Sequence, residues 1–136
     1  MNVSDASNCV VSNNIFDAEG NEALIDSEPA VKNGQLLSSN VLLDYNLYYT
    51  PLGANDPSAF IWDNTVYKSF AAYKSGSHQD SHSLFANPEF VNASAGDFAL
   101  ASGSPALRAG TSQTNWYASK NFLGQTRSLP PNIGAY

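Results

Sequence analysis

The sequence predicts an all-β fold of the solenoid kind, in which short strands stack turn upon turn. Three observations predict it. The apolar residues fall in runs too short for most helices, broken by Asn, Gly, Pro and Asp turn chemistry. Two of the runs match when overlaid at an offset of 32 positions. The composition is charge-poor and rich in Ser and Asn, with 13% charged residues, about half the ordinary share.

The first run is Cys9–Phe16, Cys-Val-Val-Ser-Asn-Asn-Ile-Phe, which breaks at the turn-forming residues 17–22. After Ala23-Leu24-Ile25 and a loop through Pro29, Asn33 and Gly34 comes a second run, Val41–Tyr48. At the offset of 32, Val10 meets Leu42, Val11 meets Leu43, Ile15 meets Leu47 and Phe16 meets Tyr48, while Asn14 meets Asn46. A repeat of this size points to stacked units that each bury a face on their neighbours. The matched Asn has a physical reading: its amide satisfies a sharp turn that tolerates left-handed backbone, and hydrogen-bonds its equivalent in the next coil. A looser match, at an offset of 37, sets Ala23–Asp26 against Phe60–Asp63.

Residues 67–74 are the best helix candidate, with Phe70 and Tyr73 on one face and Gly76 as the stop. A helix of about two turns is stable only when packed, so its aromatic stripe reads as core. Leu84-Phe85, Phe90-Val91 and Phe98–Leu100 read as three very short strands separated by Pro88 and Gly96. Ser104–Gly110 reads as a one-turn helix with Ser104 as N-cap, and the tail from Thr111 as loop.

At 136 residues the chain reads as one domain, with 1–100 as coils and 101–136 as a capping tail. A formal charge of −6 with six scattered basic residues argues against a nucleic-acid partner. No apolar run approaches the length of about 20 residues that spans a bilayer, which argues against a membrane partner. Residues 1–15 show no basic start and no hydrophobic leader core, an expectation that an upstream portion would change. The compartment stays open. The single Cys9 excludes an internal disulfide and, in an apolar run, reads as a buried, inert thiol. With His78 and His82 as the only histidines, a Cys/His metal site is excluded by count, and no cofactor is expected.

The succession Asp80-Ser81-His82-Ser83, Asn87–Val91, Gly96–Leu100, Gly103–Ala106, Leu123–Arg127 and Ile133–Tyr136 resembles the C-terminal end of right-handed parallel β-helix proteins of the pectate-lyase-like kind. Asn13–Phe16 and Asp44–Tyr49 resemble ordinary coils of that solenoid. The resemblance implies a short right-handed parallel β-helix of about two to three coils, with one short helix and a C-terminal cap. It also implies ancestry among carbohydrate-active proteins, mostly secreted or periplasmic. Arg108, Asn121 and Asn132 depart from the family, whose tails commonly place acidic residues there. Such enzymes work on several stacked coils in mid-solenoid, and the resemblance implies that this chain corresponds to the last few coils only.

The chemistry is weighed accordingly. Glycosidase-type catalysis needs two carboxylates about 5 to 9.5 Å apart. Asp44, Asp63, Asp80, Glu89 and Asp97 are available, but their spacing suits turn-capping. Asp80 with His82 is a candidate base and orienter, or a candidate ligand-binding pair that holds a hard cation together with Glu89, because i and i+2 positions of an extended segment project to one side. Trp62, Tyr48 and Tyr49 are candidate sugar-stacking aromatics. The expectation is a non-catalytic β-helix fragment acting as a binding or assembly module, with polysaccharide as an allowed partner. The competing reading is a residual polysaccharide lyase or glycoside hydrolase acting through Asp80 and His82. A solenoid open at its first coil also exposes apolar surface, so a homo-oligomer joined through Val10, Val11, Ile15 and Phe16 is expected.

Overall fold

The structure, a computed structural model, describes residues 1–20, 22–113 and 117–136. Asn21, within the turn at 17–22, and residues 114–116 of the tail lie outside the described residues. The chain is mostly short strands with one short helix. In order these are β1 (Ser7–Ser12), β2 (Ile15–Asp17), β3 (Ile25–Asp26), β4 (Val31–Lys32), β5 (Gln35–Leu36), β6 (Ser39–Asp44), β7 (Leu47–Tyr49), β8 (Phe60–Trp62) and β9 (Thr65–Tyr67). They are followed by α1 (Phe70–Ser77), β10 (Leu84–Phe85), β11 (Phe90–Asn92) and β12 (Asp97–Leu100).

The 32-residue match is a register. β1 pairs in parallel with β6, Val10 opposite Leu42 and Val11 opposite Leu43. β2 pairs in parallel with β7, Ile15 opposite Leu47 and Phe16 opposite Tyr48. β10 adds on the other side of β7, Leu84 opposite Leu47. β3 pairs in parallel with β8, but Ile25 stands opposite Phe60, an offset of 35 where the sequence suggested 37. A slip of two residues leaves every side chain on the same face, so hydrophobic pattern alone does not distinguish the two registers. The pairs β8–β9, β4–β5 and β11–β12 are antiparallel.

Alternation along these strands builds two cores. Phe16, Tyr48 and Phe85 point into the main one, where Leu43, Tyr48, Phe60 and Tyr73 are fully buried. Ile15, Leu47 and Leu84 point the other way, into a second core with Ala106 and Ile133 of the C-terminal segment. The sheet β2–β7–β10 is therefore covered on both faces. The C-terminal segment, read from the sequence as a capping tail, lies along this face and reaches back to the first pass of the chain. Gly134 N–H donates to Asn13 O at 2.8 Å, Thr111 N–H to Asn13 Oδ1 at 2.7 Å, and Asn13 Nδ2 to Thr111 O at 2.8 Å.

Three local expectations are corrected. The helix runs three residues later than the sequence suggested, because Ser69 caps it by accepting Ala72 N–H at 3.1 Å and left-handed His78 ends it. Gly76 is inside the helix for space, since a Cβ there would lie 2.4 Å from the Tyr67 ring. Residues 105–108 form turns, not a helix: Arg108 is left-handed at φ 56°, and Ala106 O is taken by Ile133 N–H at 2.8 Å. Cys9 is half-exposed on β1, not buried.

The clip to Asn13 gives a test. A Cβ at Gly110 would stand 2.6 Å from Asn13 Oδ1 and 3.0 Å from the carbonyl oxygens of Pro131 and Asn132. Gly110→Ala is expected to lower unfolding free energy by about 1–3 kcal/mol in urea titration. Gly20→Ala, with nothing within 4 Å of the added carbon, is the control and stays within about 0.5 kcal/mol.

Candidate functional site

The turn that carries Asp80 enters left-handed at φ 56°, with Asp80 N–H donating to Leu43 O at 2.7 Å. That backbone turn breaks the extended run, so Asp80 and His82 do not project to one side, and the two do not meet. Asp80 points inward and is 1% exposed. Its Oδ1 accepts from Ser83 Oγ at 2.5 Å, Tyr48 Oη at 3.2 Å and Asn46 Nδ2 at 3.3 Å, and its Oδ2 accepts from Tyr73 Oη at 2.8 Å. Desolvation pushes the Asp80 carboxyl above its ordinary value, while the hydrogen bonds from Ser83, Tyr73, Asn46 and Tyr48 pull the other way. Burial and the neighbouring Asp80 charge push both tyrosine hydroxyls far above theirs, so they remain donors. A carboxylate enclosed by four donors in the core is a structural hub and not a base open to substrate.

Asn46 ties this hub to the stacked strands. Asn14 N–H donates to Asn46 Oδ1 at 3.0 Å, and Asn46 N–H donates to Ser83 Oγ at 2.8 Å. The Asn14 amide also reaches Asn46 Oδ1, at 3.3 Å, and Asn46 Nδ2 donates to Val11 O at 2.9 Å. The ladder thus has a direction: each pass donates a backbone N–H to a side-chain oxygen of the next. The left-handed backbone falls on the preceding residues, Asn13 at φ 60° and Tyr45 at φ 58°, and not on the ladder Asn themselves.

His82 lies on the surface, with its side chain 60% exposed, and its Nδ1 is 2.7 Å from Asp44 Oδ2. Asp44 Oδ1 accepts His82 N–H at 2.7 Å, and the imidazole stacks on Tyr45 with centroids 4.7 Å apart. Ser81 Oγ approaches the same Nδ1 at 3.1 Å. A nucleophile–base–acid relay needs the serine on one ring nitrogen and the carboxylate on the other. Here both share Nδ1, so the cluster is not a relay. The Asp44–His82 pair escaped the sequence reading. A third overlay, Asp44–Leu47 on Ser81–Leu84 at an offset of 37, carries the signal.

Two of the three aromatic candidates are corrected. Trp62 is 8% exposed and packs on Tyr73, and Tyr48 is fully buried with its hydroxyl on Asp80, so neither offers a ring face to a sugar. Tyr49 is half-buried and lines a hollow of about 720 Å³ with Asp17, Glu19, Asn87 and Glu89. Desolvation, and then Glu19, raise the Asp17 carboxyl above its ordinary value.

The four edge candidates are placed as follows. Val10 is 43% exposed and faces sideways with Leu42. Val11 packs on the main core, Ile15 on the second core, and Phe16 stacks on Tyr48 with centroids 5.2 Å apart. Residues 1–3 cover β3: Val3 N–H donates to Asp26 O at 2.9 Å. Gly134 reaches the turn before β2, whereas β1 pairs on one side only among the described residues. β1 is thus one of several strands, β2 among them, that pair on one side only among the described residues.

Among the described residues, no three His, Cys, Asp or Glu side chains are grouped to hold a metal ion. No described helix is long and apolar enough to cross a membrane. Compared with protein-family models, curated proteins and solved structures, the chain matches none of them.

Proposed function

We propose that the chain is a short right-handed parallel β-helix without a catalytic centre of its own, working as a binding and assembly module whose partner is a second copy joined through β1. The parallel registers of β1–β6, β2–β7–β10 and β3–β8 support the architecture. The observation that carries the function is the open start of the ladder. Asn14, in the turn between β1 and β2, gives its N–H to the next pass, and its own Oδ1 accepts from no described residue; both flanking strands pair on one side only among the described residues. An unpaired strand edge beside partly exposed apolar residues is a template for another strand. The lyase or hydrolase reading through Asp80 and His82 loses support, since Asp80 is enclosed and His82 is held by Asp44. Of the three candidate aromatics, polysaccharide binding keeps Tyr49, which shares its hollow with Phe90.

Light scattering over a range of concentrations tests the assembly. The measured mass is expected to rise toward that of two chains. Cys9→Lys, which sets a charge at the half-exposed edge position, is expected to keep the protein monomeric. A wild-type chain that stays a clean monomer at high concentration overturns the proposal.

A further inference from the structure

The second core opens into a cavity of about 590 Å³, bounded by the first pass on one side and by the β11–β12 hairpin and the C-terminal segment on the other. This is within the range of small-molecule sites, about 300–1,000 Å³. Its wall carries Phe90, Phe98, Tyr117, Phe122 and Tyr136, and a single basic side chain, Arg127. Phe90 and Phe98 meet edge to face at 5.3 Å, and Phe122 leans on Tyr136 at 5.8 Å. Phe98 is nevertheless 47% exposed and Phe122 74% exposed, so ring faces are left uncovered beside the cavity.

Arg127 is fixed in place: its Nη2 donates to Asn132 O at 2.5 Å and to Gly134 O at 2.6 Å. Both acceptors are neutral carbonyls. Its Nε is buried and has no hydrogen-bond partner among the described residues. Among the described residues no carboxylate lies at salt-bridge distance from Arg127, in a chain with twice as many acids as bases. A partly buried guanidinium with no counter-charge is costly, and a planar carboxylate is its natural complement.

We infer that this cavity is a binding site for a small aromatic carboxylate, whose ring lies among Phe98, Phe122 and Tyr136 and whose acid group pairs with Arg127. Rings and guanidinium together select the ligand class: an apolar ring alone leaves the charge unanswered, and an inorganic anion leaves the rings bare. The cavity wall includes Ser12 of β1 and Asn14, so the inference is tested at concentrations where light scattering reports a single species.

The probes are 2-naphthoate and its neutral counterpart 2-naphthylmethanol, titrated by calorimetry. 2-Naphthoate is expected to bind saturably, one per chain, about tenfold or more tighter than the alcohol. Phe122→Ala, at an exposed position that leaves the cores intact, is expected to weaken both probes. Arg127→Gln is expected to abolish the preference for the acid while the alcohol still binds. Should Arg127→Gln fail to fold by circular dichroism, the acid-to-alcohol ratio in the wild type and the loss in Phe122→Ala decide alone. No saturable binding of 2-naphthoate, equal binding of the two probes, or unchanged binding in Phe122→Ala overturns the inference.

Discussion

Asp80→Ala is expected to lower the unfolding free energy by about 3–5 kcal/mol, because it strips the acceptor from several buried donors at once. Tyr48 and Tyr73 would keep hydroxyls in the core with nowhere to donate, and Ser83 and Asn46 would lose a partner each. Asp80→Asn keeps one acceptor oxygen and the shape, and is expected to lose less than half as much. Adding Tyr73→Phe to Asp80→Ala removes one orphaned hydroxyl and is expected to recover part of the loss. Urea titration of the three variants checks the order.

The same residue sets a pH dependence whose sign follows from its burial. The Asp80 carboxyl is held above its ordinary value in the folded chain, chiefly by desolvation. The folded state therefore binds this proton more tightly than the unfolded state does. The resulting stabilisation is full below the unfolded carboxylate value and is lost as pH rises through the folded one. The wild type should gain stability relative to Asp80→Asn as pH falls from neutral into the acidic range. A difference between the two that is flat with pH would contradict the burial argument.

Asn46→Ala is expected to cost about 2–4 kcal/mol, since its fully buried amide spans three passes of the chain. The Asn14 N–H would lose its acceptor, so hydrogen exchange at that amide should accelerate. Asn14→Ala removes the equivalent residue at the start of the ladder, an exposed position, and is expected to cost about 1 kcal/mol or less. Equal losses at the two positions would mean that the ladder has no direction.

These contrasts mark what was legible in the sequence. The register of Val10 on Leu42 and of Ile15 on Leu47 was readable because apolar spacing repeats along the chain, and Asn14 over Asn46 was readable with it. The chemistry of Asp80 was not. Its partners Tyr48 and Tyr73 come from a strand and a helix, and one left-handed residue decides whether the carboxylate faces core or solvent. The lateral course of the C-terminal segment was also hidden, because the bonds joining Asn13 to Thr111 link residues 98 apart. The cavity was hidden for the same reason: Arg127 and the aromatic rings around it come from separate turns and strands with no shared period.

The central claim is that the working surface of this chain is the open edge of β1, and backbone hydrogen exchange tests it most directly. Protection of the Ser7–Ser12 amides, measured at low and at high protein concentration, is expected to rise with concentration, while that of Phe60–Trp62 in the covered strand β8 stays constant. Exchange from Ser7–Ser12 that is the same at both concentrations would contradict the claim.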